Sequence, residues 1–386
     1  MKIIKNILPL ALLALIPTLA IWAVFYFKVP QINNIPLPQN GMETIVANYD
    51  GPLYIVVAKS LYNGSYIKTN FQFPLPVEYY AAHFPLFPLL IRALALVNRN
   101  YPYAMLGVTV LTSFLALYFF HKLIKQYVEG EIDALFLTAV FAIFPARWLV
   151  VRSIGSPEPL FIAAIIASVY YFDNRKYWLA GLWGVVATLT KSPGILLFIA
   201  YIIASVLPQA KALATAKFNL WLRSLDLKKY PIILIPFALL AVFALYNVQF
   251  HNFFAYFNSG DNIHLLFPPF QIFNYSAPWV GTFWLEEIVF IYLFGAIGLM
   301  QLIKMRKWNL ASFVGLFFGS ILFVSHRDLM RYALPIVPFI YVAFAKYLVT
   351  KEFKIAFLIL IIPTFLFALA FISNNVMPIS NWGPLL

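Results

Sequence analysis

Residues 6–27 read NILPLALLALIPTLAIWAVFYF and carry no charged side chain. These 22 residues, between Lys5 and Lys28, exceed the roughly 20 apolar residues that a helix needs to cross a bilayer. The run is longer than the apolar core of a typical signal peptide, and no clear cleavage site of small residues follows it. We therefore expect a retained first membrane span at this position.

The rest of the chain has the composition of a polytopic membrane protein. Of its 386 residues, 63% are hydrophobic and 11% are charged, whereas soluble domains are about half apolar and about a quarter charged. The apolar runs predict an all-α fold with about 11 transmembrane helices, which places the two termini on opposite sides. The spans after the first are expected at about 102–121, 132–151, 158–172, 177–190, 194–208, 230–249, 286–303, 308–325, 332–349 and 355–373.

The distribution of positive charge explains the net charge of +13. With the N-terminus inside, 17 of the 27 Lys and Arg residues fall on the inner side. This asymmetry follows the positive-inside rule, so membrane topology accounts for the excess and no nucleic-acid partner is expected. The inner basic residues are Lys2, Lys5, Lys122, Lys125, Arg175, Lys176, Lys211, Lys217, Arg223, Lys228, Lys229, Lys304, Arg306, Lys307, Lys346, Lys351 and Lys354.

The first outer loop, roughly residues 28–99, carries the carboxylate on which the functional prediction depends. Residues 48–55 read NYDGPLYI, and Asp50 stands just before Gly-Pro. Asp50 is either a helix N-cap or a base that acts on an acceptor hydroxyl at the membrane surface, and the two roles are compatible. Two segments, Pro52–Tyr62 and Phe84–Val97, are too short to span and are expected to be helices lying in the interface.

Further candidate site residues are expected on the same outer side. Glu78 and His83 close the first loop. Glu78 is either a solvated loop carboxylate or a substrate contact, and His83 is either an interfacial side chain or a group that contacts a phosphate or assists proton transfer. Glu158 begins a span, where it either pairs with Arg152 or serves a site. Lys191 separates two apolar segments, and it either extends to the surface or binds a lipid phosphate.

A late turn, SHRDLMRYALPIVP, concentrates positive charge on this outer side. His326, Arg327 and Arg331 fit phosphate recognition, since Arg binds phosphate through two parallel hydrogen bonds; an ordinary charged turn is the alternative. The chain has no Cys and five scattered His residues. It also lacks a Walker A motif, a dinucleotide-binding glycine turn and an HExxH motif. We therefore expect neither a metal site nor a cofactor.

Five strings occur in order along the chain: YDGPLYIVVAKSLY from Tyr49, HFPLFPLLIR from His83, SPEPLF from Ser156, TKSPGILL from Thr190 and RYALP from Arg331. Together they resemble the GT-C superfamily of membrane glycosyltransferases, and most closely the family of the second GPI mannosyltransferase (PIG-V-like). The chain departs from that family at Tyr49, where Trp is usual. It also departs at His83, in place of Phe, and at the residue after Thr190, where Lys replaces Arg.

The resemblance implies a GT-C fold over residues 1–386 as one membrane domain, with an outer tail at 374–386. It implies inverting transfer of a hexose, typically mannose, from a polyprenyl-phosphate sugar to a hydroxyl of a lipid, glycan or protein acceptor. The reaction would take place on the extracytoplasmic side of a multi-pass membrane protein, without a bound metal, and Asp50 would be the base. The residues expected to bind substrate are Tyr49, Glu78, His83, Arg152, Glu158, Lys191, His326, Arg327, Arg331 and Tyr332.

Two other functional classes fit parts of the sequence. A transporter or lipid flippase would use the same charged residues as a translocation path, but it should place ionisable residues at mid-span. Most of those here lie near the predicted span ends, and a long loop with interfacial helices suits an enzyme better. An inactive assembly subunit with the same fold is the third possibility, which the presence of Asp50 and Glu158 disfavours.

Overall fold

The apolar run at residues 6–27 forms most of the first helix, α1 (Lys2–Tyr26), in a computed structural model of the protein. The structure describes residues 2–206, 227–260, 265–280 and 285–386. Three of the predicted inner basic residues, Lys211, Lys217 and Arg223, lie outside the described residues, as does the end of the span expected at 194–208.

The first loop, roughly residues 28–99, folds into short elements rather than an open coil. An antiparallel hairpin pairs β1 (Gln31–Ile32) with β2 (Ile35–Pro36). Helices α2 (Met42–Val46), α3 (Gly51–Ser60), α4 (Gly64–Asn70) and α5 (Leu86–Asn98) follow, with a 3-10 turn at Val77–Ala82.

Helix α3 differs from the interfacial helix expected at 52–62. Its residues 51–58 are all buried, because the helix packs against α5 and against the helix at Tyr101–Ile124. A helix that is apolar on every side belongs in a core. The apolar content of this segment therefore reflects a core position in the outer region, and the expectation of a one-sided interfacial helix was wrong for α3.

The remaining helices follow the predicted apolar runs closely, as at Tyr177–Thr190, but not the predicted count of spans. Among the described residues, six stretches are long and apolar enough to cross a membrane, or seven when one bent pair is counted as a single span. The count of eleven is not confirmed, because several helices have fewer than the roughly 20 residues of a full span. The α-helices described after α5 are α6 (Tyr101–Ile124), α7 (Glu131–Ile143), α8 (Ala146–Ser153), α9 (Glu158–Asp173), α10 (Tyr177–Thr190), α11 (Leu196–Val206), α12 (Leu234–Phe250), α13 (Ala255–Asn258), α14 (Leu285–Lys304), α15 (Trp308–Ile321), α16 (Leu329–Ala333), α17 (Val337–Leu348) and α18 (Lys351–Asn374).

The bent pair is α7 and α8, whose axes differ by 71° across the break after Ile143. Pro145 lies in this break, and a proline both lacks the backbone N–H and clashes with the preceding turn of a helix. The single span expected at 132–151 is therefore two helices. The bend places the start of α8, with Arg147, beside the loop that carries Asp50.

Arg152 holds this broken span against α1. Its guanidinium is fully buried and donates hydrogen bonds to the backbone carbonyls of Ala142, Ala14 and Leu13. Pro17 has no N–H, so the Leu13 carbonyl lacks its helical partner; the carbonyl of Ala142 is in the last turn of α7 and lacks one too. The expected pairing of Arg152 with Glu158 is not formed, because backbone carbonyls occupy the guanidinium.

We expect Arg152→Met to lower the thermal stability of the protein in detergent. The substitution removes the donor of the buried Ala142 carbonyl and of the part-buried Leu13 carbonyl, and an unsatisfied buried group costs about 1–3 kcal/mol. Arg92→Met is the matched control, because Arg92 also donates to two carbonyls, those of Ala58 and Lys59, but is only part-buried. An unfolding midpoint for Arg152→Met equal to that of the control would contradict the role given to Arg152.

Helix α9 is the central helix, and it positions the first residue of the site. Residues 158–169 are all buried, and the helix packs between α6 and α10. The buried helix therefore fixes the position of its N-terminal residue, Glu158. The C-terminal end of α18 lies beside the first loop, where the Ile372 carbonyl accepts a hydrogen bond from Asn48.

Candidate active site

Asp50 stands at the N-cap position of α3, but its side chain makes no capping hydrogen bond. Pro52 lies in the first turn of the helix, and it removes one of the amides that an N-cap side chain could bond. The Asp50 side chain therefore does not cap α3. Its half-buried carboxylate is left for the other expected role, contact with a substrate. It lines a cavity instead.

The loop that holds Asp50 is fixed by the C-terminal segment of the chain. The Asn48 side-chain amide donates to the carbonyls of Thr44 and Ile372, each at 2.9 Å. An isolated β-bridge joins Asn48 to Val376, and the Met377 amide donates to the Ala47 carbonyl at 2.7 Å. The backbone beside Asp50 is therefore held on both edges.

Tight packing beneath the loop requires a glycine after Asp50. A Cβ atom at Gly51 would lie 2.6 Å from the Val46 carbonyl oxygen and 3.2 Å from Met105 Cε. The residue on the other side of Asp50, Tyr49, has a positive φ of 47°. Such a conformation is uncommon for a non-glycine residue. The side-chain contacts of Tyr49 account for its persistence here.

Glu158 forms ion pairs with two cations next to the cavity. One oxygen, Oε1, accepts hydrogen bonds from Lys191 Nζ and from Arg331 Nε, both at 2.7 Å. The other oxygen accepts one from the Ser156 hydroxyl. Two positive charges share one carboxylate, so the cluster retains one net positive charge that faces the cavity.

A second ion pair, between Arg147 and Asp328, lies at the hydroxyl end of Tyr49. Arg147 Nε is 3.2 Å from Asp328 Oδ1, and the Tyr49 hydroxyl donates to Asp328 Oδ2 at 2.8 Å. Arg147 also donates to the Tyr49 hydroxyl oxygen at 3.2 Å. The guanidinium carbon of Arg331 lies 4.2 Å from the centre of the Tyr49 ring. Tyr49 thus connects the Asp50 loop to both arginines.

Two histidines are kept neutral near these groups. Burial lowers the pKa of His83, although the negative charge of Asp50 opposes this effect. Burial also lowers the pKa of His326, whose Nδ1 accepts a hydrogen bond from the Asp328 amide at 2.9 Å. A neutral imidazole can donate a hydrogen bond to a substrate hydroxyl, or accept one from it, without adding charge to the cavity.

These side chains meet around one cavity of about 800 Å³. Of the residues predicted to form a site, it is lined by Tyr49, Asp50, His83, Lys191, His326, Arg327, Arg331 and Tyr332. Glu158 lines a small cleft beside it that shares Lys191, Arg331 and Tyr332 with the cavity.

Two predicted site residues are not brought to the cavity. Glu78 is exposed on the first loop, and Arg152 is buried against backbone carbonyls. Sequence reasoning missed Arg147, which lies inside the apolar run predicted as a single span at 132–151. An arginine within such a run, two residues after a proline, is the signal that could have found it.

Asp50 differs from the other carboxylates of this region. Among the described residues, its side chain takes part in no hydrogen bond or ion pair, whereas Glu158 and Asp328 are both paired with cations. Glu287 also lines the cavity but is exposed at the start of α14. Asp50 is therefore placed to accept a proton from a molecule in the cavity. Within the described ranges, no group of three or more His, Asp or Glu side chains could hold a metal ion.

Comparison with known proteins identifies the fold. No protein-family model matches the chain, and no curated protein sequence matches it either. Solved structures do match, beginning with ArnT from Cupriavidus metallidurans bound to undecaprenyl phosphate, at 14% identity and a TM-score of 0.52 over 90% of this chain. The apo state of the same protein matches at 15% identity and a TM-score of 0.53, also over 90% of the chain.

A third structure is the archaeal oligosaccharyltransferase AglB from Archaeoglobus fulgidus, in complex with an inhibitory peptide and a dolichol-phosphate. It matches at 14% identity and a TM-score of 0.51 over 96% of this chain. The chain spans 62%, 61% and 56% of the length of these three structures. At these identities the likeness shows a shared fold, which agrees with the GT-C fold predicted from the sequence. It does not test the narrower resemblance to the family of the second GPI mannosyltransferase.

Proposed function

We propose that this protein transfers a hexose, with mannose as the first candidate, from a polyprenyl-phosphate sugar to an acceptor hydroxyl. The observation that carries the proposal is the pairing of two features on one cavity. An uncommitted carboxylate, Asp50, lies on the same cavity as a cluster of cations that includes Lys191 and Arg331. A base for the incoming hydroxyl and a binding place for the outgoing phosphate are what such a transfer requires.

In the proposed reaction, Asp50 removes the proton of the acceptor hydroxyl. The hydroxyl oxygen attacks C1 of the sugar as the bond between C1 and the phosphate oxygen breaks, and the phosphate leaves with the electron pair. One displacement inverts the configuration at C1. Lys191, Arg327 and Arg331 stabilise the negative charge that develops on the leaving phosphate, because positive charges in a partly desolvated cavity act more strongly than in water.

The lipid character of the donor is supported by the surroundings of the cationic cluster. The cleft beside it is lined by apolar residues, among them Phe161, Ile162 and Phe317. The ArnT structure contains undecaprenyl phosphate and the AglB structure contains a dolichol-phosphate, both of which are polyprenyl phosphates. A donor of this class would place its phosphate at Lys191 and Arg331 and its chain among the helices.

The distribution of charge supports an extracytoplasmic site. The positive-inside rule assigns the loops with most Lys and Arg to the cytoplasm. The first loop and the turn at 326–331 fall on the opposite side by this count. The acceptor, whether a lipid, a glycan or a protein, would then meet the cavity outside the cytoplasm.

The proposal is tested with the purified full-length protein in lipid nanodiscs. Labelled polyprenyl-phosphate mannose and polyprenyl-phosphate glucose are supplied separately, each with a membrane lipid extract, a soluble glycan or a peptide as acceptor. We expect label to move from the mannose donor to one acceptor class, in a product of inverted configuration. Absence of transfer from every donor, together with movement of the intact donor across vesicle membranes, would overturn the proposal in favour of a flippase.

A further inference from the structure

We propose that Arg147 is a positioning residue for sugar transfer, whose task is to neutralise Asp328 beside the loop that bears Asp50. This inference rests on the proposed function and adds to it a residue that contacts neither the base nor the phosphate-binding cluster directly. Four observations carry it: the position of Arg147 in its helix, its contacts, its burial and the charges around it.

The position of Arg147 is unfavourable for helix stability. It lies in the first turn of α8 (Ala146–Ser153), where the helix dipole is positive and an acidic residue would be stabilising. The bend between α7 and α8 also turns this residue towards the cavity. The local structure therefore gives no reason for a cation here, and the reason must lie in its partners.

The contacts of Arg147 join the loop that carries Asp50 to two other segments of the chain. The guanidinium pairs with Asp328 and donates to the Tyr49 hydroxyl, which in turn donates to the same carboxylate. Its flat face lies 3.7 Å from the centre of the Phe371 ring on α18. Arg147 thus joins the first loop, the turn before α16 and the end of α18 at one point.

The ion pair is largely withdrawn from solvent. The side chains of Arg147 and Asp328 are 13% and 10% exposed. When one partner of such a pair is removed, the remaining charge is left uncompensated in a medium that screens it poorly. Loss of Arg147 would therefore leave the negative charge of Asp328 acting on its neighbours at full strength.

Those neighbours are the groups that the reaction uses. Asp50 follows Tyr49 directly, and His326 lies within electrostatic reach of both Asp50 and Asp328. An uncompensated Asp328 would repel the substrate phosphate and would compete for Arg331. It would also make a nearby carboxylate hold its proton more tightly. The cavity further presents His83, Lys191, Glu287, His326, Arg327 and Arg331 from the surrounding elements.

The test is a double-mutant cycle with Arg147→Met, Asp328→Asn and the double variant, measured in the full-length protein. Arg147→Met should reduce kcat/KM about 100-fold, as for truncation of one member of a buried charge pair. The acid limb of its pH–rate profile should move to higher pH. The double variant has no unpaired charge. Its kcat/KM should be at least about tenfold higher than that of Arg147→Met, and its acid limb should return to the wild-type pH.

A merely structural brace predicts a different result. Loss of packing on Phe371 would persist in the double variant, so its rate would be no better than that of Arg147→Met and the acid limb would not move. That outcome would overturn the inference. Arg92→Met is the matched control for loss of a part-buried arginine from the outer region without a carboxylate partner, and its acid limb should stay in place.

A second readout separates this inference from the proposed function. The stabilisation of each variant by polyprenyl phosphate alone is measured as the shift of its thermal unfolding midpoint. Arg147→Met should shrink this shift, and the added Asp328→Asn should restore it. If the wild-type protein transfers no sugar, the proposed function fails, while the restored shift still supports the role of Arg147. A shift that is equal in wild type and Arg147→Met would count against that role.

Discussion

Asp50→Asn is expected to reduce sugar transfer by about 10²- to 10⁴-fold, which is the usual contribution of a general base. The amide has nearly the shape of the carboxylate but cannot accept the proton of the acceptor hydroxyl. Since the Asp50 side chain makes no capping bond, the substitution should leave α3 and the unfolding midpoint unchanged. The measurement is kcat with labelled polyprenyl-phosphate mannose, alongside thermal unfolding of the same preparation.

The control for Asp50→Asn is Glu286→Gln. Glu286 is an exposed acidic residue in the first turn of α14, next to the cavity but not on its wall. Its loss removes the same charge from the same side of the molecule, so the rate should change by less than about twofold. Undiminished transfer by Asp50→Asn would remove Asp50 from the mechanism and would direct attention to Glu287.

Glu158→Gln is expected to lower both stability and activity. The carboxylate is 4% exposed and binds Lys191 and Arg331 through one oxygen. Without it, two buried cations face each other, and breaking a buried pair in this way costs about 3–5 kcal/mol. Both side chains would also move from the position proposed for the phosphate, which adds a catalytic loss to the structural one. Thermal unfolding and kcat/KM in detergent measure the two effects.

Glu131→Gln provides a matched comparison for Glu158→Gln. Glu131 also has two basic partners, His121 and Lys125, but its side chain is 54% exposed. Ion pairs in such surroundings contribute about 0–1 kcal/mol. An unfolding midpoint for Glu158→Gln as close to wild type as that of Glu131→Gln would show that the cluster does not depend on its central carboxylate.

Most helices could be predicted from the sequence because each depends on a continuous apolar run. The helix at Tyr177–Thr190 matches its predicted bounds, and the outer loop has helices near both predicted places. The bend at Pro145 was missed because composition alone made 132–151 one uninterrupted span. The burial of α3 was missed because an interfacial helix needs a polar face, whereas residues 51–58 are apolar on every side and pack into a core.

The site could be predicted only as a set of candidates. Outer location and residue type selected Asp50, Lys191 and Arg331, and the cavity brings all three together. The pairings could not be predicted, because Glu158 and Arg331 are 173 residues apart and Tyr49 and Asp328 are 279 apart. Nearness in sequence favoured Arg152 as the partner of Glu158, but backbone carbonyls freed by a proline and a helix end bind that arginine instead.

The contact between Asn48 and the end of α18 has a consequence for the order of events during synthesis. The Asn48 amide bonds the carbonyl of Ile372, 324 residues later in the chain. At typical translation rates, tens of seconds separate the appearance of the two residues. The loop with Asp50 is therefore synthesised early and lacks this contact while the helices between are inserted. The newborn protein gains a fixed Asp50 loop only when one of its last helices, α18, has been inserted.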